Sequence, residues 1–409
     1  MKAKNLSEQR KHFPSLVRTV NGSTVAYFDG PAGSQMPRQV IDAISSYYAT
    51  SNANTHGLFL TSRETDSMIE ETREAVACFV GAPHGRTISF GGNMTTLNFS
   101  LSKAIERSLQ EGDEILITQL DHEANRAPWL ALREKGIVVR EILLKQDGTL
   151  DYEDARRKIT ERTRLVAMGL ASNALGTVND VELIREWTHK VGSWLLVDAV
   201  HFAPHFSMDV TSLDVDFLVC SAYKFYGPHV GILYCRDGLL DQLETDRLRT
   251  QDPRAPHRIE TGTLNHAAIA GVKGAIEYLA GLGIGKNLRA KLVSAMNVIH
   301  GHEGELGHRI HSGLRRINGL TVYGPPYGKA LRAPTISFTM NTLPAGQVCD
   351  ELAKKGIFAW DGHFYAVRAV EILGLRAKGG LTRVGVLLYN TSDEVERLLE
   401  GVKEIAKRR

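Results

Sequence analysis

The chain has 409 residues, of which 43% are hydrophobic and 23% charged, and its formal net charge is +3. This length favours two domains over one simple core, and the small net charge creates no field that would attract nucleic acid or a membrane surface. The sequence has no run of about 18 apolar residues, the length that spans a bilayer, and its polar N-terminus lacks a signal-peptide core. We therefore expect a cytoplasmic protein with neither nucleic-acid nor membrane partners.

Short β-rich runs alternate with helical patterns through the first half of the chain. Strands are predicted at 87–90, 112–120 and 137–144, and helices at 95–110, 127–136 and 151–159. The runs at 163–172, 193–200 and 216–223 are almost continuously apolar, which is typical of strands buried on both faces of a parallel sheet. Strands and helices in alternation predict an α/β doubly wound layer architecture.

The pattern changes after about residue 275. One long amphipathic helix is predicted over 291–317, and short strands and helices follow it, so we expect a smaller α+β domain at the C-terminus. Before this change, residues 244–266 form a long polar connection, and long loops in compact domains are commonly functional.

A glycine-rich turn precedes the first of these predicted helices. The stretch FGGNMTTLN (90–98) places Gly-Gly-Asn immediately before it. Free amides at a helix N-terminus, with the hydroxyls of Thr95 and Thr96, would bind a phosphate group. An ordinary turn has the same pattern, so this alternative stays open.

Asp198 and Lys224 each follow an apolar predicted strand, and ligands of an open parallel sheet bind at that edge. Burial of an unpaired carboxylate is costly, so Asp198 must meet a cation or hydrogen-bond donors. His122 and Asn173 follow two other predicted strands. A buried Asp198–Lys224 ion pair, or a histidine without catalytic role, would be the purely structural alternative.

Pyridoxal 5′-phosphate would use all of these groups together. Its aldehyde needs a lysine for a Schiff base, and its ring nitrogen needs a carboxylate to stay protonated. Its phosphate suits a helix N-terminus, and its ring suits an aromatic face. Lys224, Asp198, the turn at Thr95 and His122 supply these groups in that order.

Five motifs distributed along the chain favour the same interpretation: DHEANRAPW, SNALGT, VDAVH, SAYKFYGPHVGILY and ETGTLNH. With them the sequence resembles, over nearly its whole length, the fold-type I pyridoxal-phosphate enzymes of the class V aminotransferase family, close to the group II cysteine desulfurases and selenocysteine lyases. The resemblance implies an α/β fold, with a mostly parallel seven-stranded sheet in a large domain. It also implies an N-terminal arm over 1–28 that joins the small domain, a large cofactor-binding domain over 29–278 and a small C-terminal domain over 279–409.

The resemblance assigns roles around the cofactor ring. His122 would stack on the ring, Asp198 would pair with the ring nitrogen, and Lys224 would form the Schiff base and act as acid and base. Asn173 and His201 would lie near the cofactor 3′-oxygen. His201 departs from the family, which usually has glutamine at this position.

The resemblance also implies phosphate and substrate contacts. The phosphate would be held by Asn93, Met94, Thr95, Ser221 and Tyr223. Tyr223 occupies a position that is usually histidine. Thr263 would reach the phosphate of the other subunit, which implies a homodimer with composite sites. Arg383 would clamp the α-carboxylate of an amino-acid substrate.

One departure concerns the sulfur chemistry of the family, whose members carry a cysteine on a mobile loop shortly after a Gly-His pair. Here FAWDGHFYAVRAVE (358–371) contains Gly362 and His363, but Tyr365 stands where the cysteine should be. The four cysteines are scattered without metal-type spacing, so we expect reduced thiols, no metal site and no disulfide framework. Cys349 lies on a predicted helix and is interpreted as a core residue. Without a loop thiolate, a persulfide intermediate is not expected.

The remaining chemistry takes place at the α-carbon of an amino acid, with Trp360, His363 and Tyr365 near the substrate. Trp360 and Tyr365 could instead only pack over the site. The favoured function is a cysteine desulfurase-like C–S lyase that works by β-elimination, with Tyr365 as a catalytic group. A class V aminotransferase or an amino-acid epimerase is the enzymatic alternative, and a pyridoxal-phosphate-binding regulator or sulfur-carrier partner is the non-enzymatic one. Arg383 favours an enzyme, because a pure binding protein has no need of a carboxylate clamp.

Overall fold

The computed structural model describes residues 6–328 and 330–407. Residues 1–5, which belong to the predicted N-terminal arm, and residues 408–409 of the predicted small domain lie outside this description. The α-helices α1 to α13 are, in chain order, Arg38–Thr50, Leu60–Val80, Met94–Glu106, Ala127–Leu130, Tyr152–Lys158, Val181–Lys190, Val210–Leu213, Leu239–Gln242, His266–Ala280, Leu288–Arg315, Ala345–Lys354, Val367–Ile372 and Ser392–Lys407. The strands β1 to β15 are Thr19–Val20, Ser23–Thr24, Ala26–Tyr27, Ile88–Gly91, Glu114–Thr118, Val138–Ile142, Thr163–Gly169, Trp194–Asp198, Phe217–Ser221, Gly231–Cys235, Leu320–Tyr323, Thr335–Met340, Ile357–Phe358, Trp360–Gly362 and Leu381–Gly385. Short 3₁₀ segments lie at Leu6–His12, Pro14–Val17, Gly85–Thr87, Glu123–Asn125, Ala131–Lys135, Ala222–Lys224, His257–Ile259 and Arg376–Lys378.

A seven-stranded sheet forms the centre of the larger part of the described chain, in the order β4-β10-β9-β8-β7-β5-β6. Strand β10 is antiparallel to both of its neighbours, and the other pairings are parallel. The predicted fold class, with a mostly parallel sheet of seven strands, is confirmed.

The continuous apolar runs are explained by a core on each face of this sheet. In β7, Leu165 and Ala167 pack into one core, whereas Val166 and Met168 pack into the other. Because successive side chains of a strand point to opposite faces, a strand covered on both faces must be apolar at every position.

The C-terminal part contains a four-stranded antiparallel sheet in the order β11-β12-β15-β14, with its own apolar core. The 28-residue helix α10 leads into it. The N-terminal strand β3 pairs in parallel with β13, with Ala26 opposite Ile357. The predicted smaller α+β domain is therefore present, while its limits near residues 28 and 278 stay predictions.

Three local predictions were wrong in their bounds. The helix predicted over 127–136 is a short α-helix, α4, followed by a 3₁₀ turn. One of the short strands predicted after the long helix, over 356–360, is divided between β13 and β14. Strand β9 ends at Ser221, so Lys224 lies one 3₁₀ turn beyond the strand and not at its end. None of the described helices is both long and apolar enough to cross a membrane.

Candidate active site

Three parallel strands of the large sheet end side by side and place polar side chains at one edge. Gly169, the last residue of β7, pairs with Asp198, the last residue of β8, and β8 pairs in turn with β9. An inner cavity of about 80 Å³ lies at this edge. The predicted cofactor-binding residues that line it are Asn93, Met94, Thr95, His122, Asn173, Asp198, His201, Ser221, Tyr223 and Lys224.

Lys224 is 8% exposed, and its ammonium lies at the edge of the inner cavity. Nζ donates hydrogen bonds to the carbonyls of Pro31 and Ala32 over 2.5 and 2.9 Å. Burial, reinforced by the positive charge of Arg383, lowers the pKa of Lys224 to about 7. A substantial fraction of the amine is therefore neutral and nucleophilic at neutral pH.

Asp198 is buried at the end of β8, where its Oδ1 accepts a hydrogen bond of 2.8 Å from the amide of Val200. Burial raises the pKa of Asp198 to about 7, and the carboxylate of Asp121 adds to the increase. The described hydrogen bonds of Asp198 and Lys224 go to backbone groups and not to each other. The carboxylate is thus available to a protonated group of a ligand, which would lower its pKa again.

His122 presents a neutral imidazole to both cavities of the site. Its Nδ1 accepts a hydrogen bond of 3.0 Å from the amide of Ala124, which leaves the proton on Nε2. Burial, with the positive charges of Lys224 and Arg383, lowers the pKa of His122 to about 4. A neutral ring can pack flat against an aromatic ligand without a desolvated charge.

The N-terminus of α3 supplies the backbone donors of the site. The side chain of Asn93 caps the helix by accepting from the amide of Thr96 over 2.9 Å, and the amide of Met94 donates to Oγ of Ser221 over 3.1 Å. The amide of Thr95 lies between those of Met94 and Thr96. Within the described part of the chain it has no hydrogen-bond acceptor. A free amide at a helix N-terminus, next to a threonine hydroxyl, suits an anion.

A buried polar chain connects the inner cavity to α10. Nε2 of His201 lies 2.9 Å from Oγ1 of Thr335, and the ring centroids of His201 and His205 are 5.2 Å apart. Nδ1 of His205 lies 2.7 Å from a carboxyl oxygen of Glu303. Nδ1 of His201 is buried and has no hydrogen-bond partner among the described residues. Only a ligand or a water molecule can satisfy this atom.

A larger outer cavity of about 700 Å³ adjoins the inner one. His122, Asn173 and Lys224 line both cavities. The predicted substrate-side residues that line the outer cavity are Trp360, His363, Tyr365 and Arg383. The structure therefore brings all four together around one cavity that Lys224 also lines.

Arg383 is buried in β15 and lines the outer cavity. One guanidinium nitrogen donates to the carbonyl of Asn173 over 2.9 Å, and the guanidinium carbon lies 4.2 Å from the ring centre of Phe364. Burial lowers the pKa of Arg383 to about 9, so the group is still cationic at pH 7. With Nε unpaired among the described residues, it can bind a carboxylate.

The loop after β14 has an unusual backbone. Phe364 and Tyr365 both have left-handed conformations, with φ of +53° and +58°, which are unfavourable for aromatic residues. The side chain of Asn173 donates to the carbonyl of Phe364 over 2.8 Å, and the backbone amide of Glu123 donates to the carbonyl of Tyr365 over 2.7 Å. These bonds hold the Tyr365 ring, which is 67% exposed, with its centroid 5.4 Å from that of His122.

Two carboxylates of the site were not predicted from the sequence. Asp121 lines the inner cavity, where its Oδ1 accepts from the amide of Gly169 over 2.9 Å. Asp29 lies close enough to Lys224 and Arg383 for their charges to act on it, although burial still raises its pKa to about 6. Asp121 belongs to the motif DHEANRAPW, directly before His122.

Two predicted features lie outside both cavities. Thr263 is exposed and lines a separate cavity of about 330 Å³ together with Gly92 and His229, so its predicted reach to another subunit stays a prediction. None of the four cysteines, all of which belong to the described residues, lines the inner or the outer cavity. Cys349 is buried in α11, and burial raises the pKa of its thiol to about 12.

Comparison with known proteins identifies the family. The family described as "Aminotransferase class-V" matches residues 26–398. The chain belongs to the class V aminotransferase family. It is similar to the cysteine desulfurase of Serratia proteamaculans (strain 568), with 34% identity over 97% of each chain. It is also similar to a probable cysteine desulfurase of Halalkalibacterium halodurans, with 32% identity over 98% of each.

Solved structures of cysteine desulfurases have the same fold. The apo structure of a cysteine desulfurase from Thermococcus onnurineus NA1 superimposes with a TM-score of 0.87 at 29% identity, over 100% of this chain and 99% of the other. The cysteine desulfurase CsdA from Escherichia coli gives 0.85 at 25% identity, over 98% of each chain. The expected class, a pyridoxal-phosphate-dependent enzyme of the cysteine desulfurase-like type, is thereby confirmed.

Proposed function

We propose that this enzyme binds pyridoxal 5′-phosphate in the inner cavity and cleaves the C–S bond of an amino acid by β-elimination, without a protein persulfide. One observation carries the proposal: the phenol of Tyr365 lines the outer cavity, and none of the four cysteines does. The cysteine nearest in sequence to Tyr365 is Cys349, and its thiol is buried outside both cavities with a raised pKa.

The residues of the inner cavity fit the cofactor. The free amide and hydroxyl of Thr95 suit the phosphate, and the carboxylate of Asp198 suits the ring nitrogen. The amine of Lys224 suits the aldehyde. The unpaired Nδ1 of His201 suits the 3′-oxygen, and His122 offers a neutral ring face. When bound, the cofactor supplies the electron sink that makes the α-hydrogen and the β-substituent of an amino acid labile.

The side chains of this protein then have separate tasks. Arg383 binds the α-carboxylate and so orients the amino acid. Lys224, with its pKa near 7, removes the α-proton as a general base. Tyr365 donates a hydrogen bond or a proton to the departing sulfur. The loop bonds from Asn173 and Glu123 hold Tyr365 in place for this step.

The assembly and compartment belong to the same proposal. We propose a homodimer in which Thr263 approaches the phosphate site of the partner. Exposed Thr263 and the exposed apolar run at Leu58, Phe59 and Leu60 support this, because a large exposed apolar patch commonly marks an interface. A cytoplasmic location is supported by four cysteines that are all unpaired.

The test is to supply L-cysteine and β-chloro-L-alanine to the purified, cofactor-loaded protein and to quantify pyruvate, ammonia, sulfide, alanine and D-amino acid together. β-Elimination yields one pyruvate and one ammonia for each sulfide or chloride. Alanine accompanied by an alkylatable persulfide on Cys349 would establish desulfuration instead. Oxo acid formed only with an amino acceptor, or a D-amino acid without pyruvate, would establish transamination or epimerisation.

A further inference from the structure

We propose that the natural substrate is an S-substituted cysteine with a bulky apolar substituent on sulfur, and that the outer cavity is the subsite for this substituent. The inference rests on the proposed function, since it specifies the leaving group of the same elimination. The volume and lining of the outer cavity, and the way its polar groups are already paired, are the observations behind it.

The first step is the orientation of the substrate. Lys224 lines both cavities, whereas Arg383 lines the outer one only, close enough to Lys224 for its charge to act on the amine. An amino acid with its carboxylate on Arg383 and its α-carbon near Lys224 therefore directs its side chain outward, along the remaining length of the cavity. Trp360 and Tyr365 line the same cavity.

The second step is size. The outer cavity has a volume of about 700 Å³, which is typical of pockets for ligands much larger than a free amino acid. Beyond its β-carbon, cysteine carries a single sulfur atom, so it would leave most of this volume to water. Selectivity for cysteine would require a small, closed pocket.

The third step is the chemistry of the lining. Phe99 of α3 and Trp360 of β14 line the cavity with side chains that are 40% and 51% exposed. Together with Tyr365 and the methyl groups of Ala32 and Ala127 they form an apolar wall. Aromatic side chains exposed in a cavity gain from an apolar or aromatic occupant.

The polar groups of the same wall are largely engaged already. The carboxylate of Glu123 lies 3.2 Å from the guanidinium of Arg126, and Nδ1 of His363 accepts from the amide of Tyr365 over 3.1 Å. The carboxylate of Asp361, which also lines the cavity, repels an anionic substituent. The lining therefore favours an uncharged substituent over an anionic or strongly polar one.

The reaction of such a substrate balances without an added oxidant or reductant. The α-proton is removed, the Cβ–S bond breaks with its electron pair remaining on sulfur, and sulfur gains a proton. The amino group leaves as ammonium after addition of water. In sum, R–S–CH₂–CH(NH₃⁺)–COO⁻ and H₂O give R–SH, pyruvate and NH₄⁺.

The binding test uses amino acids that cannot eliminate, on the cofactor-loaded enzyme. We expect L-homophenylalanine, the carbon isostere of S-phenylcysteine, to bind about tenfold or more tightly than L-norvaline by calorimetry. Phe99→Ala and Trp360→Ala should each weaken the binding of L-homophenylalanine severalfold. Neither should change the affinity for L-norvaline. Leu143→Ala is the matched control, because Leu143 is a similarly exposed apolar residue outside the cavity, and it should change neither.

The catalytic arm separates this inference from the proposed function. S-Benzyl-L-cysteine should be eliminated with a kcat/KM at least about tenfold above that of L-cysteine, while β-chloro-L-alanine reports elimination without use of the subsite. Elimination from β-chloro-L-alanine, with L-homophenylalanine bound no better than L-norvaline, would overturn the subsite alone. Equal binding of L-homophenylalanine and L-norvaline would also be obtained if a second copy of the chain filled the cavity, and the subsite would be overturned in that case too. Tight L-homophenylalanine binding without elimination from any substrate would overturn the proposed function, and the S-substituted cysteine with it.

Discussion

The side-chain amide of Asn173 donates a hydrogen bond of 2.8 Å to the carbonyl of Phe364. The carbonyl of Asn173 in turn accepts from the guanidinium of Arg383 over 2.9 Å. A single residue beyond the end of β7 thus connects the large sheet with both the carboxylate clamp and the loop that carries Tyr365. The carboxylate and the leaving group lie at opposite ends of an amino-acid substrate. This connection therefore fixes the distance between Arg383 and Tyr365, which bind those two ends.

The first prediction concerns the pH dependence of cofactor uptake by Lys224. Because burial lowers its pKa to about 7, the neutral amine predominates above pH 7 and the cationic form below it. The rate of Schiff-base formation by the apo-protein should therefore rise between about pH 6 and pH 8 and then level off. Stopped-flow absorbance of added pyridoxal 5′-phosphate measures this rate.

The control for this prediction is a pair of lysine variants. Lys224→Ala should lose the borohydride-reducible linkage at every pH, whereas Lys190→Ala, at an exposed residue of α6, should behave like the wild type. A rate that continues to rise through pH 9 would show an ordinary lysine pKa. A stoichiometric reducible adduct in Lys224→Ala would show that another lysine forms the linkage.

The second prediction concerns Asp198. Asp198→Asn should retain the cofactor but lose activity on the order of 100-fold, because a neutral amide cannot stabilise a protonated ring nitrogen. Steady-state kinetics and cofactor absorbance on the same sample measure the two quantities. Asp198→Glu keeps the charge and should recover part of the activity. Near-native turnover of Asp198→Asn would contradict the assignment.

The extent to which the sequence predicted the fold depends on how each element is buried. The strands β7, β8 and β9 were evident because strands covered on both faces are apolar at every position. Helix α9 was not predicted, since nearly all of its residues are buried between other helices and it lacks an amphipathic period. Helix α2 was not predicted either, because the buried residues of its first half include the polar Ser62 and Thr65 and do not form an apolar stripe.

Site residues were predictable where they directly follow a recognisable strand. They were not predictable where only the tertiary structure brings them to the site. Asp198 and Lys224 follow apolar strands, so their position at the sheet edge could be inferred. Asp29 comes from the N-terminal turn and reaches Lys224 and Arg383 only through folding. The left-handed backbone of Phe364 has no sequence signal, because it is imposed by bonds from distant residues.

The third prediction concerns assembly. We expect a solution mass of twice the chain mass of 45.1 kDa, measured by light scattering. Thr263→Ala should weaken cofactor binding about tenfold if its hydroxyl reaches the partner's phosphate. Thr321→Ala, an exposed threonine of β11, should have no effect. A fully active monomer would rule out composite sites.

The fourth prediction concerns the buried pair His205 and Glu303. Burial raises the pKa of Glu303 well above its usual range and lowers that of His205 to about 3, so both are neutral and the carboxylic acid donates to Nδ1. Glu303→Gln keeps a neutral donor and should shift the free energy of unfolding by less than about 1 kcal/mol. Glu303→Ala leaves a cavity and an unpaired histidine, at a cost of roughly 2–4 kcal/mol.

Chemical denaturation followed by fluorescence compares the Glu303 variants. A loss in Glu303→Gln as large as that in Glu303→Ala would show that the pair is ionic, because removal of one partner of a buried ion pair leaves an uncompensated charge. The cofactor absorbance of Glu303→Gln should also match the wild type, since Glu303 acts on the inner cavity only through His205 and His201.

The fifth prediction concerns Tyr365. If its phenol protonates the departing sulfur, Tyr365→Phe should slow β-elimination by about 100-fold while Schiff-base formation at Lys224 is unchanged. The effect should be smaller for β-chloro-L-alanine, because chloride leaves without a proton. Pyruvate release with each substrate, and the cofactor spectrum of the variant, measure these three quantities.

The comparison between leaving groups distinguishes catalysis from packing. If Tyr365 only covers the site, the phenylalanine variant retains the ring and should act like the wild type on both substrates. Tyr48→Phe, at an exposed tyrosine outside both cavities, controls for loss of a phenol in general. An equal loss with both substrates would assign Tyr365 to substrate positioning, because a group that protonates sulfur cannot slow the departure of chloride to the same extent.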